Sequence, residues 1–416
     1  MWVYMMKKIV FIITILGFVI SLNSCQNDKE MYTISYFDYM YTYIGINLYV
    51  TEEEYSIYEQ EINTIFETYH QLTTSYDALP ENSTFLNNIF SINAQKNQKL
   101  PIDKALYEML LQAINYEELT EGYFDITLGT PVKIWKALIE NSPEDLFEGA
   151  NIFIHSYREE EIKQSGVVEG FDENSISVQL EKDKIIYQRD DLEYELEVSD
   201  VQLLNTQQEV DSLNQDKASL VLEEIGQQYF VTFNAKDQAL DLGAFSKGYA
   251  TNIVKDYLIE KQVEYFSISA GSSSISVGKN INRPEQDEIF IVSLTDPMFS
   301  TSVFNKYYGL IHIKDTSVAT SGNFEQYTLY EGIRYHHIIS PFTYYPVNEY
   351  YALTITGNDA GLLDALSTAL YVMDIETLTT FMENHQETLG IQLIAYVQDG
   401  SILRFTEDLY FEDKRS

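Results

Sequence analysis

Residues 240–261, LDLGAFSKGYATNIVKDYLIEK, join a predicted strand to a predicted helix and set the architecture of the chain. An extended apolar run at residues 229–233 and a short turn at residues 234–237 come just before them. After two glycines, Gly243 and Gly248, apolar side chains recur at the spacing of one helix face, namely Ala250, Ile253, Val254, Tyr257 and Leu258. The stretch therefore predicts a strand, a glycine-bearing turn and a helix.

Ser246, Lys247 and Gly248 lie near the N-terminus of this predicted helix. Free backbone N–H groups and the positive end of the helix dipole make such a place suited to phosphate. An ordinary strand-to-helix connection explains the same residues equally well, because isolated glycine turns are weak motifs. The rest of the chain has to decide between these two interpretations.

The composition is that of a large and strongly acidic globular protein. Its 416 residues can bury an extensive core and form two domains or one elaborated domain. The formal net charge of −38 argues against a nucleic-acid partner, because phosphate backbones are bound by surfaces rich in Lys and Arg. The same charge argues against electrostatic adhesion to anionic lipid. Most of the acidic side chains are expected to form a solvated surface.

Residues 1–24 are predicted to be a secretory signal. Lys7 and Lys8 precede an apolar run at residues 9–20, which is short for a membrane span. The sequence LNSC at residues 22–25 resembles the processing site of bacterial lipoprotein signals, in which the cysteine becomes the lipidated first residue. A plain signal peptide with an incidental cysteine is the alternative. Since Cys25 is the only cysteine, no internal disulfide is expected.

The rest of the chain is predicted to be a tether and one domain. Residues 25–36 form the tether, which would hold the protein at the cell membrane through lipid on Cys25, facing away from the cytoplasm. Residues 37–416 form the domain, with an acid-rich insert at about 185–228 whose polar stretch at 205–217 is expected to be partly flexible.

Strands and helices are interspersed along the predicted domain. Strands are expected at residues 36–50, 175–180, 184–187, 266–277, 289–294, 352–356 and 391–397, and further helices at residues 57–69, 103–119 and 359–372. Several strands follow one another through short polar loops, as at residues 280–287. This pattern favours an α+β (mixed α/β) fold with mixed or antiparallel sheets and flanking helices over a doubly wound parallel sheet.

Four stretches combine side chains that could carry chemistry: the turn already described, and residues 122–127, 335–341 and 364–370. In the last of them, Asp364 and Thr368 are four residues apart and share one face of a helix. Their carboxylate and hydroxyl oxygens could bind a hard cation such as Mg²⁺. The alternative is that Asp364 caps the helix while Thr368 hydrogen-bonds its own backbone.

The paired histidines His336 and His337 are not expected to form a joint metal site. On a strand they would point to opposite faces, and either could be a hydrogen-bonded structural residue. The chain also lacks a His-rich or Cys-rich pattern of zinc ligands, so a transition-metal site is not expected. Ser321 is not predicted to be a nucleophile, because the G-x-S-x-G elbow is absent.

These stretches resemble the ApbE family, the FAD:protein FMN transferases. The matching segments are GYFDITLG, LDLGAFSKGYATNIV, SVATSGNFEQY, RYHHIISP and DALSTALYVM, in the order and at about the spacing of the family. Residues 36–50 resemble its first strand, with Met40-Tyr41-Thr42 in place of the usual Met-Gly-Thr. The resemblance covers most of the chain and implies an ApbE-like fold.

The resemblance also implies a Mg²⁺-dependent phosphoryl transfer. The family splits the pyrophosphate of FAD, attaches FMN to a Thr or Ser side chain of a target protein and releases AMP. Its targets are often exported or membrane redox proteins, so FAD and such an acceptor are the expected partners. The reaction needs a cation to neutralise the pyrophosphate and a base to activate a weak hydroxyl nucleophile.

Individual residues inherit roles from this resemblance. The metal ligands would be Asp364, Thr368 and the backbone carbonyl of Ser246. The general base would be His337, since an ordinary histidine pKa of about 6.5 suits proton transfer at neutral pH. Lys247 would hold phosphate or cap its local structure. Contacts with the flavin nucleotide would come from Met40, Tyr123, Phe124, Asp125, Tyr249 and His337.

Three segments depart from the family pattern. The aspartate of its H-I-I-D-P is Ser340, the glycine that follows is Tyr344, and its N-x-G-G-D-like segment is ISAGSSSIS at residues 268–276. If the missing aspartate orients His337 or the metal, catalysis would be weakened while FAD binding persists. Two alternatives to transfer therefore stay open: hydrolysis of FAD to FMN and AMP, and a non-catalytic flavin-binding lipoprotein.

Overall fold

The computed structural model describes residues 28–140, 167–169, 176–181, 184–189, 192–196, 200–297, 307–330 and 333–415. The predicted signal and Cys25 lie outside these residues. No helix within the described ranges is both long and apolar enough to cross a membrane.

The strands, in chain order, are β1 (Glu30–Tyr36), β2 (Ile44–Val50), β3 (Lys99–Ile102), β4 (Val167–Glu169), β5 (Ile176–Glu181), β6 (Lys184–Arg189), β7 (Leu192–Leu196), β8 (Ser219–Ile225), β9 (Gln228–Asn234), β10 (Phe266–Ala270), β11 (Ser274–Val277), β12 (Phe290–Thr295), β13 (Tyr307–Ile313), β14 (Thr316–Gly322), β15 (Tyr327–Tyr330), β16 (Ile333–His336), β17 (Tyr350–Gly357), β18 (Gln392–Val397), β19 (Ile402–Phe405) and β20 (Tyr410–Asp413). The helices are α1 (Glu52–Thr73), α2 (Ile89–Ala94), α3 (Lys104–Leu119), α4 (Gly129–Glu140), α5 (Asp200–Ser212), α6 (Ser246–Glu260), α7 (Ala360–Val372) and α8 (Ile375–Leu389).

An eight-stranded sheet forms the centre of the molecule. Its strand order is β1-β2-β10-β11-β14-β17-β18-β19, and every neighbouring pair is antiparallel. Strand β2 shows the period of two that a half-buried strand requires, with Ile44, Ile46, Leu48 and Val50 all fully buried. Smaller antiparallel sheets are β12-β13-β20, β3-β9-β8, β15-β16 and β4-β5-β6-β7. The predicted α+β fold with antiparallel sheets and flanking helices is confirmed.

Helices α6 and α7 both contribute side chains to the core. Helix α7 separates two clusters of buried side chains: Ala365 and Ala369 belong to the cluster that includes Phe245 of the preceding turn, whereas Leu366 and Leu370 belong to the cluster around β17 and β18. A helix that is apolar on nearly all sides has to be buried in this way. Any polar side chain on α7 therefore needs a specific partner.

The helices expected at residues 57–69, 103–119 and 359–372 all form, as α1, α3 and α7. Helix α1 begins with a capping box: the Thr51 hydroxyl accepts from the Glu54 N–H, and the Glu54 carboxylate accepts from the Thr51 N–H at 2.9 Å. Its apolar stripe of Tyr58, Ile62, Phe66, Tyr69 and Leu72 is buried.

Two expected strands are each divided by a turn. Residues 36–50 form the end of β1, a turn and β2, and residues 266–277 form β10, a turn and β11. In the first turn the backbones of Met40 and Tyr41 are left-handed, with φ of 53° and 55°. Because aromatic and apolar side chains continue through this turn, the sequence pattern does not indicate a break between two strands. The tether predicted at residues 25–36 is also too long, since Glu30–Tyr36 pairs with β2.

The insert predicted at about 185–228 is more ordered at its end than expected. Residues 205–212 of its polar stretch belong to helix α5, whose Leu203 and Val210 are buried in a cluster with Trp135 and Tyr344. Strand β8 pairs with β9 and so belongs to the sheet β3-β9-β8. These few apolar side chains, spaced seven residues apart on a helix, are enough to hold the polar segment against α4.

Candidate active site

Helices α6 and α7 touch at Gly248 and Asp364, which are 116 residues apart in the chain. The Gly248 N–H donates to Asp364 Oδ2 at 2.8 Å. A Cβ at Gly248 would lie 2.3 Å from the Ala360 carbonyl oxygen and 2.5 Å from Asp364 Cβ, so the two helices approach as closely as glycine allows. The predicted metal ligands Ser246 and Asp364 thereby come together, because Ser246 begins α6 only two residues before Gly248.

The N–H groups at the start of α6 are not available as the phosphate cradle suggested by the turn alone. The Ser246 N–H donates to the Leu242 carbonyl at 2.8 Å, and that of Gly248 is bound by the Asp364 carboxylate. Helix N-termini favour anions, and here the anion is a side chain of the protein. The structure corrects the first interpretation of this turn and supports its role as one wall of a site that α7 completes.

The turn before α6 is held by neighbours that the sequence did not reveal. Asn93 on α2 clamps Leu240: its Oδ1 accepts from the Leu240 N–H at 2.7 Å and its Nδ2 donates to the Leu240 carbonyl at 2.9 Å. The Asp241 N–H donates to the Ile126 carbonyl at 2.8 Å, which ties the turn to the GYFDITLG segment. An asparagine at the C-terminal end of a short helix has no signal by which a sequence could single it out.

Asp364 is a buried carboxylate, with a residue exposure of 4%. Burial raises its pKa, while the charge of Lys247 and the Gly248 N–H oppose that rise. Among the described residues Asp364 forms no ion pair. It does not cap α7 either, since Asp359 is the N-cap and accepts from the Leu362 N–H at 3.0 Å. The capping alternative for Asp364 is wrong.

The Thr368 hydroxyl is only weakly held by its own helix. Its Oγ1 lies 3.5 Å from the Asp364 carbonyl, whereas the Ser367 hydroxyl donates to the same carbonyl at 2.9 Å. A second bond of 2.9 Å joins Ser367 to Ser321 on β14. Thr368 therefore keeps an oxygen that can serve a ligand, on the same face as Asp364.

The two histidines have different surroundings. His336 is fully buried, with Nε2 3.0 Å from the Val347 carbonyl and Nδ1 accepting from the Ile338 N–H at 3.2 Å. These two hydrogen bonds indicate a structural role for His336. The next residue, His337, is partly exposed, but its Nδ1 is buried and has no hydrogen-bond partner in the described structure. The prediction that the two rings face opposite ways fits these different environments.

The pKa of His337 is lowered to about 4, chiefly by burial. The positive charges of Lys136 and Lys247 contribute to the shift, while the neighbouring Gln326 backbone and the charge of Asp241 oppose it. The imidazole is therefore neutral near pH 7 and able to accept a proton. The positive charge of Lys247 lowers the pKa of both His337 and Asp364, so residues of the first, third and fourth stretches are coupled electrostatically.

The second stretch joins the same site. The ring of Tyr123 is half-buried and lies 4.9 Å from that of Phe342, in the loop that follows His337. The Phe124 side chain is buried beside the rings of Tyr116 and Phe245, so a contact of Phe124 with a ligand would be made by its backbone. The partly buried Asp125 accepts from the Thr127 N–H at 2.7 Å, and burial raises its pKa.

Met40 and Tyr249, the other predicted nucleotide contacts, lie beside the end of α1. The Met40 N–H donates to His70 Nδ1 at 3.1 Å, and the Met40 side chain is buried. The ring of Tyr249 lies 5.2 Å from that of Tyr69, the residue next to His70. Both predicted contact residues therefore adjoin the C-terminal part of α1.

Two tyrosines stand where the family pattern has glycine, and both keep the backbone that glycine would adopt. Tyr41 has φ of 55° and Tyr344 has φ of 63°. A left-handed residue other than glycine costs about 1–2 kcal/mol, so surrounding contacts must offset the strain. The Tyr41 hydroxyl bonds to Asp77 at 2.9 Å, and the Tyr344 carbonyl accepts from Trp135 Nε1 at 2.7 Å.

Ser340, which replaces the family aspartate, serves its own turn. It is buried, its carbonyl accepts from the Tyr344 N–H at 2.8 Å, and its Oγ accepts from the Phe342 N–H at 3.3 Å. The loop that carries His337 is therefore ordered by Ser340 within it and by Trp135 against it. Sequence reasoning missed Trp135, because a lone tryptophan on an amphipathic helix reads as ordinary core.

These features define an α+β protein in which the fourth chemically distinctive stretch contacts the start of α6, the second is bonded to the turn before it, and the third is joined to the second through the loop that follows His337. The profile of the ApbE family matches residues 40–392, and the chain belongs to that family. A relative named FAD:protein FMN transferase from Haemophilus influenzae is 22% identical over 405 residues, which cover 96% of each chain. One of the same name from Klebsiella pneumoniae is 33% identical over 138 residues, covering 33% of this chain and 40% of that relative.

Solved structures show the same fold. The ApbE protein of Thermotoga maritima matches with a TM-score of 0.61 at 20% identity, covering 90% of this chain and 97% of its own. The flavin transferase ApbE of Vibrio cholerae matches with a TM-score of 0.57 at 18% identity, covering 91% and 98%. The ApbE-like fold expected from the sequence is confirmed.

Proposed function

We propose that this protein is a Mg²⁺-dependent FAD:protein FMN transferase. It would move FMN from FAD to a Thr or Ser hydroxyl of an acceptor protein and release AMP. The observation that carries the proposal is the contact of Asp364 with the start of α6 beside Lys247, whose charge also acts on His337, in a chain of the ApbE family. A carboxylate for a cation, an ammonium for phosphate and a neutral imidazole are the groups that a phosphoryl transfer to a hydroxyl needs.

The residues present fit a magnesium ion. No group of three or more His, Cys, Asp or Glu side chains suited to a metal occurs in the described parts of the chain. Mg²⁺ instead uses one or two carboxylates together with substrate phosphates and water. Asp364 is buried and has no ion pair among the residues that the structure describes, and Thr368 Oγ1 is weakly held, so both could offer oxygens to a hard cation. The Ser246 carbonyl would be the third ligand.

When bound, Mg²⁺ would neutralise charge on the FAD pyrophosphate. Lys247, whose Nζ donates to the Gly243 carbonyl at 2.9 Å, would turn toward the phosphates and hold them. His337 would take the proton from the acceptor hydroxyl as its oxygen forms a bond to the FMN phosphorus. The bond between that phosphorus and the bridging oxygen breaks, and AMP leaves with the electron pair and later a proton.

We also propose that the protein acts at the cell membrane, outside the cytoplasm, on an exported or membrane redox protein. The support is the sequence alone: the segment at residues 1–24 and the LNSC that ends with Cys25. Metabolic labelling with a radioactive fatty acid tests the anchor, because a Cys25→Ser variant should incorporate none.

The pH dependence of the reaction should identify His337. Because its pKa is lowered to about 4, the base-competent neutral form persists well below pH 6.5 and is lost only as the pH falls through about 4. We expect kcat/KM for FAD to be level from about pH 7 to pH 5 and to fall tenfold per unit below the pKa. The His337→Gln variant should be slower and lack this acidic limb; a limb at the ordinary histidine pKa in the wild type would contradict the assignment.

The function is tested by incubating the protein with FAD, Mg²⁺ and a peptide that carries a Thr acceptor. Flavin fluorescence on the peptide after denaturing electrophoresis, together with one AMP per flavin attached, is the expected result. An otherwise identical peptide with Val at the acceptor position is the control. AMP release without labelled peptide would instead indicate hydrolysis of FAD, and FAD binding without AMP release would indicate a non-catalytic flavin-binding lipoprotein.

A further inference from the structure

One face of α6 contacts the beginning of α7. Gly248, Asn252 and Lys255 are four and then three residues apart, so they lie along one side of the helix. Gly248 donates to Asp364, Asn252 Oδ1 accepts from the Ala360 N–H at 3.0 Å, and Lys255 Nζ donates to the Asn358 carbonyl. Together these three contacts extend from the junction between β17 and α7 into the first turns of α7.

Lys255 is unusual because it is a buried lysine without a carboxylate partner. Its exposure is 6%, and no ion pair involves it among the described residues. Burial lowers its pKa, while the more distant charges of Asp256 and Asp359 raise it. Leaving a buried amine unpaired is costly, so the hydrogen bond to the Asn358 carbonyl is a strong constraint on the position of that residue.

A buried layer of hydroxyls continues this constraint into the sheet. Lys255 Nζ lies 3.3 Å from Ser317 Oγ on β14, and Ser317 Oγ lies 2.7 Å from Ser276 Oγ on β11. Both serines are fully buried. Lys255 therefore links α6, the central sheet and the residue that precedes the N-cap of α7. Networks of this kind hold their members in one arrangement when every donor has an acceptor.

The position of Asp364 depends on this link. Asp364 lies in the second turn of α7, and the close approach at Gly248 leaves no room for α7 to shift toward α6. A shift away from α6 is opposed by the bonds of Asn252 and Lys255 at the start of α7. We propose that Asn252 and Lys255 are positioning residues that set the register of α7 against α6 and so place the Asp364 carboxylate for Mg²⁺. This inference rests on the proposed function for the role of the metal.

The test compares Lys255→Met with Lys261→Met in the full chain. Methionine keeps an unbranched side chain that is one atom shorter than lysine, and it removes the donor. Lys261 is an exposed lysine just after the same helix, so its variant should behave as wild type. We expect Lys255→Met to raise the Mg²⁺ concentration for half-maximal turnover about tenfold with less than a threefold change in kcat at saturating Mg²⁺. A merely destabilised protein would lose active molecules without changing the half-saturating concentration.

The second measurement does not need the metal. Hydrogen exchange of the Gly248 amide, followed in the metal-free protein, should be at least tenfold faster in Lys255→Met because the Asp364 carboxylate no longer stays in place. If Lys255→Met does not fold, Asn252→Leu is the deciding variant and should show the same two changes. A folded variant with wild-type Mg²⁺ dependence and wild-type exchange at Gly248 would overturn the inference.

The two proposals can fail separately. If the wild-type protein shows no Mg²⁺-dependent turnover, the proposed function is wrong. The exchange rate of the Gly248 amide still decides whether Asn252 and Lys255 hold α7 in place.

Discussion

Replacing Asp364 with asparagine is expected to lower the rate of FMN transfer at least about 100-fold, because loss of a metal's charge stabilisation is worth several kcal/mol. The fold should be unaffected. An asparagine oxygen can still accept from the Gly248 N–H, and the substitution removes a buried carboxylate whose pKa burial raises. A group with a raised carboxyl pKa destabilises the fold once it is ionised, so the free energy of unfolding at pH 7 should equal or exceed that of the wild type.

The matched control is Asp359→Asn on the same helix. Asp359 is the N-cap of α7, and asparagine caps helices as well as aspartate does. Urea denaturation and the peptide-labelling assay should give nearly wild-type values for this variant. If Asp364→Asn retains transfer within tenfold of wild type, the carboxylate does not serve the metal and the site is wrongly assigned.

Replacing Gly248 with alanine is expected to destabilise the protein by about 1–3 kcal/mol, as overpacking of a core does. The added Cβ would lie 2.3 Å from the Ala360 carbonyl oxygen and 2.5 Å from Asp364 Cβ, and neither atom belongs to the flexible end of a side chain. The helices must separate, which moves Asp364 away from Ser246. We therefore expect transfer activity to fall at least tenfold, with a higher Mg²⁺ concentration for half-maximal turnover.

The expected loss of stability in Gly248→Ala is opposite in sign to the change that helix propensity alone predicts. In a helix without such a contact, alanine is more stable than glycine by roughly 0.5–1 kcal/mol. Gly361 on α7 is the control within the same interface, since a Cβ there would find its nearest atoms at 3.3 Å and need only a small adjustment. Chemical denaturation of both variants measures the difference. A Gly248→Ala protein as stable and as active as Gly361→Ala would mean that the helices are not tightly apposed.

Much of the secondary structure could be predicted because its causes are local. The apolar stripe of α1 and the position of α7 between its N-cap Asp359 and Val372 follow from periodicity and capping. The order of five motifs along the chain was enough to indicate the ApbE family. The different surroundings of His336 and His337 agree with the prediction that neighbouring residues on a strand face opposite ways.

Other elements could not be predicted because their causes lie elsewhere in the chain. The turn between β1 and β2 occurs at Met40 and Tyr41, whose left-handed backbones no local rule assigns to these residues. Helix α5 has a polar sequence, and what holds it is the packing of Leu203 and Val210 around Trp135. Tertiary contacts of this kind override a weak local preference for secondary structure.

The turn and helix at residues 240–261 show which features the sequence determines and which the tertiary structure decides. The sequence by itself determined that a glycine-bearing turn leads into an amphipathic helix, since spacing and residue type are local properties. It could not determine what the helix N-terminus binds. Only the tertiary structure decided that the Asp364 carboxylate, 116 residues away, accepts from the Gly248 N–H and that the charge of Lys247 acts on both Asp364 and His337. The physical reason is that a buried polar group must find a partner somewhere in the folded chain, and packing chooses which one.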